Sequence, residues 1–251
     1  MPVHRSAEEG YAHVGATYEK GRPEYPSDAI AFLLQRMGVV GGGTVVDLAA
    51  GTGKSTRALL AAGLMPIAVE PVAHMRETLQ AQTPGVDVRD GTAEALPFDD
   101  HSVDAVVCAQ AFHWFDAAAA LGEIGRVVRP MGALGLLWNG QDRTIDWVAA
   151  IWKEVDAARD DTPSAWSYKW REAFVDGSGF TPLTTATFRH DHPTDRDGLV
   201  ARVTSISFVA RGPEKARQRL ERHVRAVCDD AGLPERFVLP YNCYLHWCRR
   251  S

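Results

Sequence analysis

Along the first 140 residues, apolar positions switch repeatedly between a helical spacing and short continuous runs. Ile30, Leu33, Leu34 and Met37 fall at i, i+3, i+4 and i+7, one face of a helix that Ser27 caps and Gly38 stops. After the Gly41-Gly42-Gly43 turn, residues 44–48 predict a short buried strand. A helix over 55–62, closed by Gly63, leads to a strand over 66–70. Pro71 then opens a helix that carries Val72, Met75 and Leu79 on one face. Residues 85–89 predict a further short strand, and 103–109 form a nearly continuous apolar run, as expected at the centre of a parallel sheet. Asp116 caps a helix with Ala117, Leu121, Ile124 and Val128 facing inward; Pro130 ends it, and 132–138 predict a fifth strand. Strand and helix alternating at this spacing predict an α/β fold, a doubly wound and mostly parallel sheet.

Beyond Asn139 the rhythm changes. Residues 144–158 predict a helix with Ile145, Val148, Ala149 and Trp152 on one face, and 160–178 are irregular and aromatic. Residues 182–190 and 237–247 predict strands, separated by helices near 195–210 and 213–231. The expected organisation is an α/β core with an N-terminal segment over 1–140, then a helical, aromatic insertion over 141–180 that covers a substrate site. Residues 181–251 would complete a sheet of seven strands.

Composition narrows the partners. The chain has 251 residues, 45% of them hydrophobic, and a formal net charge of −5, so no nucleic-acid footprint is expected. Arg217, Arg219, Arg222 and Arg225 spread around a helix among Leu220 and Glu221 and read as a solvated face. Cys108, Cys228, Cys243 and Cys248 show no C-x-x-C spacing, which predicts reduced thiols. The first residues carry no apolar segment, and no apolar run approaches the roughly 20 residues needed to span a bilayer. A soluble, cytoplasmic protein without a membrane partner is expected.

The chemistry concentrates in Val45-Val46-Asp47-Leu48-Ala49-Ala50-Gly51-Thr52-Gly53-Lys54-Ser55-Thr56. A glycine-rich turn at the end of a first strand lets the backbone approach a nucleotide-like ligand and leads into a helix N-terminus with free N–H groups. A triphosphate-binding loop would need glycine where Leu48 stands, so that reading fails. A dinucleotide turn would need glycine or alanine at Thr56. Glu70, nineteen residues after Gly51, stands where a carboxylate accepts both ribose hydroxyls of a nucleoside; its alternative is a favourable charge at a helix N-terminus before Pro71.

Taken in order, several segments resemble the class I S-adenosylmethionine (SAM)-dependent methyltransferases. They are the Asp47–Gly53 turn, Val69-Glu70-Pro71 with Met75, Gly91-Thr92-Ala93-Glu94-Ala95-Leu96-Pro97-Phe98, Ser102-Val103-Asp104 and Ala109-Gln110-Ala111-Phe112-His113-Trp114-Phe115-Asp116. Arg126-Val127-Val128-Arg129-Pro130-Met131-Gly132 follows. The resemblance is to the group that includes ubiquinone/menaquinone and trans-aconitate methyltransferases, and it covers about residues 15 to 140. Tyr18 and Gly21-Arg22-Pro23-Glu24-Tyr25-Pro26 resemble the N-terminal segment of one branch.

The resemblance implies a Rossmann-like methyltransferase fold with a helical insertion after the fifth strand, and SAM as cofactor. Gly51 and Gly53, with Ala49 and Thr52, would cradle its methionine and ribose portions, and Asp47 would orient the methionine amino group through water. Glu70 and Pro71 would border the ribose, Met75 would pack near the adenine with Thr92, Ala93 and Glu94 at its edge, and Gln110 would sit beside the sulfonium. Two positions depart from the family pattern. Ala49 replaces the first glycine of the turn, and Thr92 stands where many relatives place an aspartate.

His113 is the candidate general base, because imidazole titrates near neutrality; its alternative is a hydrogen-bonding brace beside Trp114. Five of the seven tryptophans fall between 138 and 170, and either line an acceptor cavity or form the insertion's own core. Tyr18, Arg22, Phe112, Trp114, Trp138 and Arg143 are the candidate substrate residues, the two arginines as anion anchors. His190-Asp191-His192 lacks a third metal ligand at suitable spacing, so no metal is expected. The expected activity is O- or C-methylation of a small organic molecule by in-line displacement, with that molecule and a second copy of the chain as partners. A nicotinamide-dependent oxidoreductase and a non-catalytic SAM-binding protein are the rival readings.

Overall fold

The computed structural model describes residues 21–39 and 41–251; Tyr18 lies outside them. Seven strands form one sheet in the order β3-β2-β1-β4-β5-β7-β6. The strands are β1 (Val45–Leu48), β2 (Ile67–Val69), β3 (Asp87–Arg89), β4 (Val103–Ala109), β5 (Val128–Gln141), β6 (Thr184–Asp195) and β7 (Arg236–Arg249). The first five pair in parallel, whereas β7 runs antiparallel to both β5 and β6. The chain winds outward from β1 to β3 on one side and from β4 on the other. A crevice therefore opens beyond the C-terminal ends of β1 and β4, where strand order reverses.

Helices α1 (Ser27–Met37), α2 (Lys54–Ala61), α3 (Ala73–Gln82) and α4 (Ala117–Val127) flank this half, and α5 (Asp146–Ala157), α6 (Arg196–Thr204), α7 (Ser207–Ala210) and α8 (Glu214–Asp230) follow β5. Ile30, Leu33, Leu34 and Met37 are all buried, as their spacing predicts. Pro26, not Ser27, occupies the position before α1, its extended backbone ending where the helix begins. Asp116 caps α4 by accepting the Ala119 N–H at 3.2 Å. Helix α3 starts two residues later than Pro71 suggests, because the Val72 N–H is drawn to the Glu70 carboxylate. The stretch near 195–210 is two helices, broken at Ile206, whose backbone is extended.

Strand β5 outruns its parallel neighbour. Ala109, the last residue of β4, pairs with Leu137, while residues 138–141 pair only with β7. This overhang carries Asn139 and Gln141 past the end of the parallel sheet. After α5, two short 3₁₀ turns, Ala165–Ser167 and Lys169–Ala173, bring aromatic residues back against the sheet. Trp138 stacks on Trp170 with ring centroids 4.6 Å apart, and Phe112 packs edge-on against Trp170. Trp166 packs against β5 at Gly140, where a Cβ would come within 2.5 Å of its ring. Among the described residues, no helix is long and apolar enough to cross a membrane.

Candidate active site

A cavity of about 250 Å³ fills the crevice at the ends of β1, β2 and β4. Its floor is the turn after β1. The Ala50 N–H donates to the Val69 carbonyl at 3.1 Å and the Gly53 N–H to the Ala50 carbonyl at 2.9 Å, so the turn is pinned to the neighbouring strand. Ala49 and Gly51 both take left-handed backbone, φ 54° and 58°. At Gly51 an added Cβ would meet no protein atom within 4 Å and would project into open space beside the turn. Glycine is therefore needed there for its backbone and for the room it leaves to a ligand. Ala49 holds a conformation that costs an L-residue about 1 kcal/mol or more, and Gln110, across the cavity after β4, does the same at φ 61°.

Glu70 is 4% exposed, and its two oxygens are each tethered once: Oε2 accepts the Gly51 N–H and Oε1 the Val72 N–H, both at 3.0 Å. Burial raises its pKa, against the lowering effect of these two N–H groups and of the nearby Arg76 guanidinium. The carboxylate is thus held rigidly at the cavity wall with acceptor capacity left over, the property needed to receive paired hydroxyls. Pro71, Met75, Thr92, Ala93 and Glu94 continue the same wall, with Thr52 beside Gly51. Glu94 Oε1 also accepts the Asp116 N–H at 3.1 Å, which ties the 92–95 turn to the start of α4.

Two expected cofactor residues stand back from the cavity. Asp47 is fully buried, and its carboxylate accepts Ser55 Oγ–H at 2.8–2.9 Å and Thr56 Oγ1–H at 2.6 Å. Burial, opposed by these hydroxyls, pushes its pKa up to about 6. Its place is to fasten α2 to β1; it does not border the cavity. Thr56, read from sequence as a misfit to a dinucleotide turn, is one of the two hydroxyl clasps. Gly53 also lies outside the lining: its Cα face packs on Leu79 of α3, where a Cβ would come within 3.1 Å of Cγ.

The N-terminal segment closes one side. Arg22, Pro23 and Tyr25 line the cavity, and Glu24 between them accepts Lys54 Nζ at 2.8 Å and Arg57 Nη2 at 3.2 Å. The Glu24 carbonyl takes the side-chain amide N–H of Asn139 at 3.1 Å, leaving Asn139 Oδ1 buried and without a partner.

A second cavity of about 120 Å³ adjoins the first. Arg22, Gln110, Trp114, Asn139 and Arg202 border both. Arg202, with Tyr25, Lys54, Asn139 and Tyr241, was not among the residues expected from sequence; nothing in the spacing near 202 or 241 marks them. Arg202 Nε donates to the Tyr241 hydroxyl at 3.1 Å, as does Gln141 Nε2 at 3.2 Å, while Arg202 Nη1 is buried with no partner among the described residues.

His113 lines this second cavity and not the first. Its Nδ1 accepts the Trp138 indole N–H at 3.3 Å. Burial, assisted by Arg159 and Arg22, pushes its pKa down to about 3. Such an imidazole stays neutral at pH 7 and is a weak proton acceptor, so the bracing alternative fits the geometry better than the general base. Phe112 and Trp138, expected as substrate wall, are core residues at 0% and 2% exposure, held by the ring stack with Trp170. The aromatic group divides: Trp152 and Trp166 reach the second cavity, while Trp147 packs against Phe237. Arg143 also lines the second cavity, but is paired with Asp156. His190 and His192 lie on the edge strand β6, and among the described residues no group of three or more metal-binding side chains converges.

Comparison with known proteins agrees with this geometry. The family model described as a methyltransferase domain matches residues 46–136. An uncharacterized methyltransferase-like protein of Schizosaccharomyces pombe is 37% identical over 206 residues, covering 82% of this chain and 80% of its own. An uncharacterized methyltransferase of Mycobacterium tuberculosis is 38% identical over 212 residues, covering 84% and 82%. Among solved structures, a candidate type II methyltransferase from Anaeromyxobacter dehalogenans superposes with a TM-score of 0.64 at 22% identity, covering 91% of this chain and 96% of that one.

Proposed function

This chain belongs to the class I S-adenosylmethionine-dependent methyltransferases, and from that premise we propose that it binds SAM in the larger cavity and methylates a small organic molecule held in the smaller one. The observation that carries the reading is the pairing of an open glycine face at Gly51 with a doubly tethered carboxylate at Glu70 on one cavity wall.

In this reading Glu70 receives the ribose hydroxyls, while Ala49, Gly51 and Thr52 leave room for the methionine portion. Met75, Thr92, Ala93 and Glu94 enclose the adenine. Asp47 acts indirectly, by holding α2 and the turn in place. When bound, SAM supplies a methyl group on a sulfonium, an electrophile that needs no activation by the protein. The chain's own task is alignment and exclusion of water. Gln110 and Asn139, fixed to one another by the Gln110 Nε2 to Asn139 carbonyl bond at 3.1 Å, stand where the two cavities meet. Trp114 and Arg22 border both cavities at that junction.

The test is a calorimetric titration of the purified protein with SAM, S-adenosylhomocysteine and NADH in parallel. Micromolar binding of both adenosyl ligands is expected, with no heat from NADH. Binding of NADH alone, or of none of the three, would overturn the assignment.

A further inference from the structure

Among the described residues the sheet ends on one side in β6, a strand of 12 residues that pairs with β7. A long edge of unpaired main-chain groups is a template for a further strand. Register shows which residues offer those groups. The Thr181 N–H donates to the Arg249 carbonyl and the Arg250 N–H to the Gly132 carbonyl. Odd-numbered residues of β7 therefore turn their main-chain groups toward β6, and even-numbered ones toward β5. His190 stands opposite Tyr241 in an unbroken register, which gives the even-numbered residues of β6 to β7. The odd-numbered ones, from Thr185 to Asp195, present their N–H and C=O groups along the outer edge, and their side chains are all exposed. Pro193, which has no N–H to give, falls in this outer set.

Two opposite charges occupy the middle of that edge. Arg189 Nε and Asp191 Oδ1 lie 3.4 Å apart on one face, the side chains 66% and 50% exposed. Opposite charges at i and i+2 make the strand complementary to a second copy of itself run antiparallel. With a two-fold axis at His190, Arg189 faces the partner's Asp191, and Asp191 faces the partner's Arg189. The four charges then alternate in sign around a square. An axis at Arg189 or at Asp191 would instead set like charges directly opposite, which opposes pairing. An axis at His192 would bring Arg189 opposite the partner's Asp195, but would overlap only the second half of the strand. Charge thus selects one register over the full strand.

From this we infer that β6 is a dimerisation edge. Two copies of the chain join through antiparallel β6 strands about an axis at His190, with Arg189 and Asp191 paired crosswise. In that register odd-numbered residues face odd-numbered ones, so the free N–H and C=O groups of both edges meet. The contact is isologous, the same surface serving both copies, and it makes one continuous sheet of the two.

The test is sedimentation equilibrium of the full chain from about 1 to about 100 μM at low salt, where exposed charges are least screened. The wild type should show a monomer–dimer equilibrium within that range. Arg189→Asp and Asp191→Arg each set like charges around the axis, and each should raise the dissociation constant at least about tenfold. Both changes made together restore the alternation and should restore the dimer. Amide hydrogen exchange across β6 in the wild type should slow as the concentration rises. A wild type that stays monomeric would leave the edge to a strand of another protein and overturn the inference. So would a dimer indifferent to either single reversal, a doubly exchanged chain that stays dissociated, or β6 amides whose exchange ignores concentration.

Discussion

The two cavities are built differently, although they share a wall. The larger one is built mainly from short segments at the C-terminal ends of strands, 48–52, 54–55, 70–72, 91–94 and 109–111, with Arg22, Pro23, Tyr25, Asn139, Arg202 and Tyr241 closing its far side. Its floor is the backbone of a pinned turn, and Glu70 stands tethered in its wall. The smaller cavity draws Gln141, Arg159, Trp166, Arg202 and Ser207 from five separate elements or turns, and its polar contacts are long side chains. A site made of strand ends follows from the sheet's winding order. A site made of distant side chains follows only from how the second half of the chain packs back, and it can change its ligand without disturbing the first.

That contrast can be broken in four ways. The largest effect is expected from Trp138→Ala. If Trp138 is core, removing its stack with Trp170 should destabilise the protein by about 3–5 kcal/mol, seen as a lowered urea midpoint. A raised acceptor KM with unchanged stability would return Trp138 to the substrate wall.

Next, Glu70→Ala should lower SAM affinity by about 100-fold, roughly 2.7 kcal/mol, while leaving the affinity for an acceptor in the smaller cavity within a few-fold of wild type. Equal loss of both ligands in calorimetry would show that the cavities are not independent.

Asp47 tests whether the carboxylate behind the turn is structural. Its pKa in the folded chain, about 6, lies above the ordinary 3.8, so folding favours the protonated acid. The stability this contributes is complete below about pH 4 and is lost as the pH rises through about 6. Urea denaturation of wild type and Asp47→Asn at pH 4 and pH 7 should therefore show the wild type losing up to about 3 kcal/mol relative to the variant over that interval. A parallel pair of curves would mean that Asp47 is solvated or paired in solution.

The smallest effect is expected from His113→Gln. The pH profile of kcat/KM between 6 and 9 should keep its shape, with the rate changed less than about threefold. Disappearance of an ascending limb near pH 6–7 would reinstate the imidazole as a base.

Most of the cofactor half was legible in the chain, because strand-end motifs are local. The spacing of Ile30, Leu33, Leu34 and Met37, the glycine turn and Glu70 nineteen residues on each report a short-range constraint. Asp47 and Gly53 belong to the expected motif but do not line the cavity. Their partners, Thr56 and Leu79, are set by helix packing that a motif does not record. His113 was singled out for its type, whereas burial, which lowers its pKa, follows from packing. The aromatic stretch after Trp138 was read as cavity or core; it is both, and which ring does which depends on the 3₁₀ turns and on Gly140.

Taken alone, the sequence determined the doubly wound, mostly parallel sheet, the glycine-rich turn after its first strand and the family to which the chain belongs. Each is written in apolar periodicity or in residues a few positions apart. Only the tertiary structure decided that β5 overhangs β4, that Arg202 and Tyr241 meet Gln141 at the junction, and that His113 receives the Trp138 indole N–H. Those residues lie 25 to 100 positions apart, and desolvation and convergent side chains arise from packing, which no local pattern encodes.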